Sequence, residues 1–368
     1  MKRLDCKALH YQWGRKGAES TVAQLRKDTI EEDEFYAELW MGTHARGPSQ
    51  VKEGEARIPL ADYFRDHPDV LGQHERDGVG LQFLLKVLSV GKCLSLQLHP
   101  TREQARELHA ADQTNYPDAN HKPELTIALT NFEILCGFQM PDKILSNLRS
   151  HEALVELIGE KVLSSFGATT DEEEKKGALK NIFTQIWTIP PEEIGTLLTK
   201  LLSDIFLKEQ RSQTDELIMG LSEHFPEDIG ILAPLFLNYV KLEPGQATFL
   251  GPNEPHSYLS GEPHLPNGRA AIFEPQHLAG GVFEYSPEVQ EFAVHKLNKE
   301  VSVVQPIAAA SILIVVNGSA TILPSEGNEE KIEKGDVLLL PQQLGAKLNE
   351  KSDDFLAFRA YTPPPKEK

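Results

Sequence analysis

The stretch LSLQLHP at residues 94–100 places an amide and an imidazole, Gln97 and His99, two positions apart between leucines. On a strand, residues so spaced point to one side, while Leu96 and Leu98 fill another layer. Two further stretches carry groups of the same kind. Glu124, in DANHKPELTIAL at 118–129, heads an apolar run, where an isolated carboxylate is costly unless paired or bound to a metal. His256, in NEPHSYLSG at 253–261, follows a turn and leads into a short strand-like segment. Two imidazole nitrogens, the Glu124 carboxylate and the Gln97 amide oxygen suit zinc or another borderline divalent cation. Glutamine is an unusual ligand, so spacing alone leaves the metal open. Taken singly, each stretch also reads as a satisfied hydrogen-bonding pair or a structural histidine. Ser95 shares the parity of Gln97 and His99, and Lys122 precedes Glu124 by two. A hydroxyl and an ammonium beside a metal can hold an anionic group such as phosphate. A filler serine and a surface lysine would look the same in sequence. There is no HExxH, no CxxC pair and no GxGxxG, so metalloprotease, zinc-ribbon and dinucleotide-fold motifs are absent.

The elements that must position these groups are mostly strands. Residues 81–90 and 92–98 read as strands or buried segments, and 125–138 as strand, turn, strand, because threonine, isoleucine and aromatics favour extended backbone. Short helices are predicted over 21–27 and over 101–110, the second capped by Thr101. Between 141 and 240 the character changes. The run 190–206 places Ile194, Leu197, Leu198, Leu201, Leu202 and Ile205 on one helical face, after prolines and early glutamates that suit a helix start. Residues 152–166 and 228–240 also read as helical, and DEEEKK at 171–176 as solvated surface.

Beyond residue 240 the strands return with a weak internal repeat. KLEPGQATFLGPNEPH begins at Lys241 and KIEKGDVLLLPQQLGA at Lys331. Each has a turn glycine, Gly245 or Gly335, between apolar strands, which reads as a hairpin in a small β-barrel. The first copy carries His256 where the second has Ala346, as expected of two related barrels of which only one has polar equipment. The apolar segments at 311–318 and 337–341 then read as structural support.

Composition bounds the function classes. The 368 residues are 40% hydrophobic and 25% charged, ordinary for a globular protein of two or three domains. A formal net charge of −18 argues against general nucleic-acid binding, although a local basic pocket can oppose the global sign. Three cysteines, Cys6, Cys93 and Cys136, suggest no disulfide framework and hence a reducing, cytoplasmic setting. No apolar run suits a signal peptide or a membrane span.

The same stretches resemble type I mannose-6-phosphate isomerases, also called phosphomannose isomerases. The similarity runs through YQWGRKGAESTVAQL at 11–25, YAELWMGTHARGPS at 36–49, LQFLLKVLSVGKCLSLQLHP at 81–100, NHKPELTIALTNFEILCGF at 120–138 and FLNYVKLEPGQATFLGPNEPHSYLSG at 236–261. SILIVVNGSATI at 311–322 and IEKGDVLLLP at 332–341 resemble the family's terminal domain. The resemblance implies a mainly β fold of cupin-like, jelly-roll β-barrels with an inserted α-helical domain. The expected division is a metal-binding domain of residues 1–145 with 236–285, a helical domain of 146–235, and a terminal cupin-like domain of 286–368. It implies one Zn2+ per chain held by Gln97, His99, Glu124 and His256, with Ser95 and Lys122 on the substrate side. The implied reaction interconverts mannose 6-phosphate and fructose 6-phosphate through an enediol, in carbohydrate metabolism leading to GDP-mannose, by a cytoplasmic monomer acting on a small phosphorylated sugar without nucleic-acid or membrane partners.

The resemblance breaks after YLSG. The family continues with a DN-x-x-RAG-x-TPK pattern whose arginine is a proposed catalytic group, whereas this chain reads EPHLPNGRAAIFEPQHLAGGVFEYSPEVQEF at 262–292. The segment is shortened and partly replaced. Arg269 is the candidate for the missing role, though its spacing differs, and Glu262 loosely replaces an acid that follows the glycine. His264 and His277 read as loop residues within reach of a pocket. The alternative to an active isomerase is a catalytically impaired isoform or a non-enzymatic cupin that binds a sugar phosphate or a protein.

Overall fold

A computed structural model describes residues 1–72, 80–116, 118–260 and 272–365 of the chain. The chain divides into two compact units, one of Met1–Gly91 with Phe273–Lys368 and one of Lys92–Ile272.

In the first unit a nine-stranded antiparallel sheet has the order Gln276–His277, Phe283–Tyr285, Ala293–Asn298, Leu356–Tyr361, Ser311–Asn317, Val337–Leu340, Lys2–Asp5, Gln50–Glu53 and Ala56–Pro59. A four-stranded sheet of Val303–Val304, Ala346–Asn349, Ser319–Pro324 and Glu330–Glu333 shares its core. Alternate residues fill that core: Leu313 and Val315, Leu338 and Leu340, Ala320 and Ile322, Ala346 and Leu348. Ser319–Pro324 and Ala346–Asn349 show the period-two pattern of strands buried on one face, whereas Ser311–Asn317 and Val337–Leu340 are buried on both.

The second unit joins a helical array to two small sheets. Leu237–Leu242, Phe132–Phe138 and His256–Ser260 form one sheet, and Glu124–Ile127 with Ala247–Leu250 the other. The helix Arg102–Ala111 starts at Thr101, whose hydroxyl and Gln104 complete a capping box. The helix Pro191–Leu207 buries Leu198, Leu201 and Ile205, with Ile194, Leu197 and Leu202 packed beside them, so the predicted face is the buried one. The acidic run at 171–176 is largely exposed, and it begins a helix, Glu172–Trp187, with Asp171 as its cap. Acids in a first turn suit the positive end of the helix dipole.

Residues 152–166 are helical as expected, divided into Glu152–Ile158 and Glu160–Ala168 because Gly159 sits at φ 90 between them. Two other local expectations are corrected. Residues 228–240 are a 3-10 helix, Ile229–Leu235, followed by the strand Leu237–Leu242. Pro234 lies at the end of that helix, where a residue without an N–H weakens continuation. Of 81–98 only Leu85–Leu88 is a regular strand, and the segment near Gln97 pairs through a single bridge.

The internal repeat extends to backbone register. Glu124–Ile127 pairs with Ala247–Leu250, Glu124 lying opposite Leu250, while Phe132–Phe138 runs between Leu237–Leu242 and His256–Ser260. In the other copy Ser311–Asn317 pairs with Val337–Leu340, Ser311 lying opposite Leu340, while Ser319–Pro324 runs between Glu330–Glu333 and Ala346–Asn349. The turns agree as well. Gly245 and Gly335 have φ 89 and 88, and Asn253 and Gln343 have φ 60 and 59. The Gly245 N–H donates to Ala128 O, and the Gly335 N–H to Val315 O. The hairpin expectation fails in both copies: the strands flanking each glycine pair with other neighbours, so each turn carries the chain from one sheet to another.

A Cβ at position 335 would meet the Leu25 carbonyl oxygen, and φ 88 is itself unfavourable for other residues. Gly335→Ala should therefore destabilise the fold by about 1–3 kcal/mol, seen as an earlier urea midpoint with unchanged slope. A second expectation concerns the helical core, where His151 is 1% exposed and its Nε2 lies 3.4 Å from Asp215 Oδ1. Burial and the Lys208 charge push His151 down to about 4, against opposing pulls from Asp215 and Asp204. The unfolded chain binds this proton first, so stability is full above the free value of 6.5 and falls as pH drops toward about 4. Denaturation midpoints across that window should show His151→Phe flattening the pH slope by about one proton.

Candidate metal centre

His256 opens the strand His256–Ser260 and is 1% exposed. Its backbone exchanges both hydrogen bonds with Gln97: Gln97 N–H donates to His256 O at 2.8 Å, and His256 N–H returns to Gln97 O at 3.0 Å. Directly opposed residues of an antiparallel pair present their side chains on one face, so Gln97 and His256 share a face. His99 follows at the next position of like parity. Its carbonyl accepts the Asn253 N–H at 2.7 Å, which fastens 94–100 to the turn before His256. In that turn the Glu254 carboxylate accepts the Gly251 N–H at 3.1 Å.

Glu124 completes the group from the start of its own strand. Its Oε1 lies 3.1 Å from His99 Nε2 and its Oε2 3.7 Å from His256 Nε2. One ligand atom from each of His99, Glu124 and His256 falls within 4.8 Å of the others. The two imidazole centroids are 5.3 Å apart. His256 Nδ1 lies 2.9 Å from Glu254 O, a carbonyl, so Nδ1 carries the proton and Nε2 the lone pair. The Nε2 atoms of His99 and His256 are both buried without a hydrogen-bond partner among the described residues. The 3.1 Å approach of His99 to Glu124 is therefore an electrostatic contact lacking hydrogen-bond alignment. Two orphaned imidazole nitrogens facing one carboxylate fit a divalent cation of borderline softness.

Electrostatics favour the ionised carboxylate. Burial alone would raise the Glu124 carboxyl, but contact with His99, the His256 ring and the Tyr258 hydroxyl together hold it below its usual value. Tyr258 was missed in the sequence. Its hydroxyl donates to Glu124 Oε2 at 2.9 Å and lies 2.7 Å from Thr126 Oγ1. The available signal was its parity with His256, two positions away on one strand. Cys136 sits opposite His256, but burial pushes its thiol up to about 12, so it offers no thiolate.

The other candidates are placed less decisively. Gln97 is half-buried and Ser95 exposed. Lys122 is half-exposed, its Nζ 3.1 Å from Asp118 Oδ1 and 3.3 Å from Asn120 O. Arg269, Glu262 and His264 lie outside the described residues. His277 is exposed in the first unit, its ring edge-on to Phe283 at 4.1 Å.

A His-Glu-His cluster, with His256 buried and His99 and Glu124 half-buried, in the unit that carries the helical array defines the class, a protein with a candidate metal site on β structure and a helical insertion. Residues 1–140 match the family model for the phosphomannose isomerase type I catalytic domain, and 157–237 match the model for its helical insertion domain. A probable mannose-6-phosphate isomerase of Caenorhabditis elegans is 36% identical over 99% of this chain and 96% of its own length. The mannose-6-phosphate isomerase of Mus musculus is 32% identical over 97% of each chain. The solved apo form of mannose 6-phosphate isomerase from Salmonella typhimurium superposes with a TM-score of 0.80 over 99% of both chains, at 23% identity, which speaks to the fold. The chain belongs to the type I phosphomannose isomerase family.

His256→Ala should lower bound divalent metal to near background after equilibration and desalting, read by mass spectrometry of the metal. Tyr258→Phe should keep the metal but weaken its hold by about 10-fold, the usual effect of losing a group that orients a ligand, read by chelator competition.

Proposed function

We propose that this chain is a zinc-dependent aldose–ketose isomerase interconverting mannose 6-phosphate and fructose 6-phosphate. The convergence of His99 and Glu124, both within the matched catalytic-domain region, with His256 beyond it is the observation that supports it most. Gln97, facing the same side as His256, is the fourth ligand in this reading. Bound zinc would supply Lewis-acid stabilisation of charge on the substrate oxygens.

The remaining work falls to the protein's own side chains. The Tyr258 hydroxyl fixes the Glu124 carboxylate, and the Glu254 carbonyl fixes the His256 tautomer. Lys122 holds the phosphate of the sugar by exchanging its contact with Asp118 for the substrate, with Ser95 as a neutral donor. A base must take the proton from the carbon beside the carbonyl and return it to its neighbour, passing through an enediol. Arg269 is the candidate for stabilising or relaying that charge. In the same reading the two register-matched copies are cupin-like barrels, residues 1–145 with 236–285 form the catalytic domain, 146–235 the helical domain and 286–368 the terminal domain. The protein acts as a cytoplasmic monomer in carbohydrate metabolism leading to GDP-mannose.

The departure from the family pattern at 262–284 supports a second reading, a chain that keeps the metal and binds sugar phosphate without turnover. Zinc-loaded protein incubated with mannose 6-phosphate should yield fructose 6-phosphate in a coupled assay. A folded, zinc-loaded sample that binds the sugar calorimetrically but converts none would overturn the isomerase reading in favour of the second. If the first holds, Lys122→Met should raise KM by about 10-fold or more, the loss of one charge-assisted contact, with a smaller change in kcat.

A further inference from the structure

Tyr258 has two hydroxyl partners, and only one of them belongs to the candidate metal centre. Its O–H donates to Glu124 Oε2 at 2.9 Å, and its oxygen lies 2.7 Å from Thr126 Oγ1. Glu124 and Thr126 are two apart on the strand Glu124–Ile127, as His256 and Tyr258 are on His256–Ser260, so each pair shares one face of its strand. The direction of each bond follows from the chemistry of the groups. A carboxylate only accepts. A phenol has one hydrogen, and Glu124 takes it. The Thr126 hydroxyl must then donate to the Tyr258 oxygen. The three groups form a chain of hydrogen bonds in which every O–H points toward the carboxylate.

A phenol O–H lies in the plane of its ring and has two settings there. The Tyr258 ring is itself held by Phe132, which packs edge-on at 5.4 Å between centroids. A donor on one side of the oxygen leaves the hydrogen the other side, here the side of Glu124. Aligned hydrogen bonds also polarise one another, so a donor at the far end strengthens the bond to the carboxylate.

Threonine also suits a strand with no further role. The second copy argues against that plainer account. By register Ser311 stands where Glu124 does, and Ala346 where His256 does. Val304 pairs with Ala346 as Gln97 pairs with His256. Two positions beyond Ser311 and Ala346, the places of Thr126 and Tyr258 are taken by Leu313 and Leu348, both inside the apolar core. The backbone pattern therefore accepts two leucines at these places. The hydroxyl pair stands in the copy that carries the ligands and not in the copy that lacks them.

We propose that Thr126 is a positioning residue of the metal centre, acting through Tyr258 to hold the Glu124 carboxylate in its ligating orientation. The proposal rests on the metal-centre reading and not on turnover, so a chain that binds zinc without isomerising carries it equally.

The test is the Zn2+ affinity of the full chain, measured by chelator competition. Thr126→Val keeps the branched shape without the hydroxyl and should weaken zinc by about threefold to tenfold, the loss of one hydrogen bond. Thr126→Ser keeps the hydroxyl and should stay within about twofold of the wild type. In the Tyr258→Phe background Thr126→Val should change the affinity no further, because the chain is already cut, an outcome that independent packing effects do not produce. Thr126→Ala serves in the same cycle if the valine variant does not fold. Unchanged zinc affinity on loss of the Thr126 hydroxyl, or an equal loss with and without the Tyr258 hydroxyl, would overturn the proposal. A wild-type chain that takes up no zinc would overturn the metal centre as well, which sets that failure apart from a wild type that binds zinc no more tightly than its Thr126 variants.

Discussion

The site depends on the exchange of two backbone hydrogen bonds between Gln97 and His256. The segment 94–100 contains no regular strand, and its course is held by this bridge, by the Leu94 N–H donating to Tyr258 O, and by the Asn253 N–H donating to His99 O. Those three ties fix which residues of LSLQLHP face the cluster. The carboxylate comes from a different pairing, Glu124 opposite Leu250. Leu250 and His256 are joined by one short turn, so the geometry of 251–255 sets the separation of carboxylate and imidazole. That turn is internally braced by Glu254, whose carboxylate accepts the Gly251 N–H and whose carbonyl orients the His256 ring. A small error there would move one ligand against the other two.

The two copies separate what a fold requires from what a site requires. Both retain a glycine near φ 90, a left-handed residue near φ 60 and the same strand pairings. These are backbone demands, and they survive in sequences that share few side chains. The inward polar load differs completely. In one copy two imidazoles and a carboxylate meet, with Tyr258 behind them. In the other Val304 and Ala346 are buried apolar residues beside Ser311. Polar groups inside a core are expensive unless each finds a partner, so a copy without such a cluster is best filled at the same positions by apolar groups.

Much of the site was legible because strand parity is local. Gln97 and His99, two apart, and Glu124 at the head of an apolar run can be read without knowing what they pair with. The repeat around Gly245 and Gly335 was legible for the same reason. Pairing partners were not. The hairpin expectation failed because the residues that decide it, such as Ala128 and Val315 accepting the glycine N–H groups, lie far away in sequence. Residues 228–240 misled because ILAPLFL at 231–237 is apolar throughout, and an unbroken apolar run has no period to distinguish helix from strand. Tyr258 escaped because a tyrosine beside a histidine in a strand looks like core until its hydroxyl is seen on Glu124.

The residues brought together by these pairings all lie between positions 97 and 258, upstream of the stretch 262–284 where the proposed reading places the change from the family pattern. Metal binding needs three or four donor atoms at fixed separations, and these depend on strands and turns that are intact here. Moving a proton needs a further group at a defined position beside the substrate. A change after residue 261 can therefore alter proton transfer while leaving His99, Glu124 and His256 where they are. In the proposed reading the two properties are carried by different stretches of one chain, and a folded protein can hold one without the other.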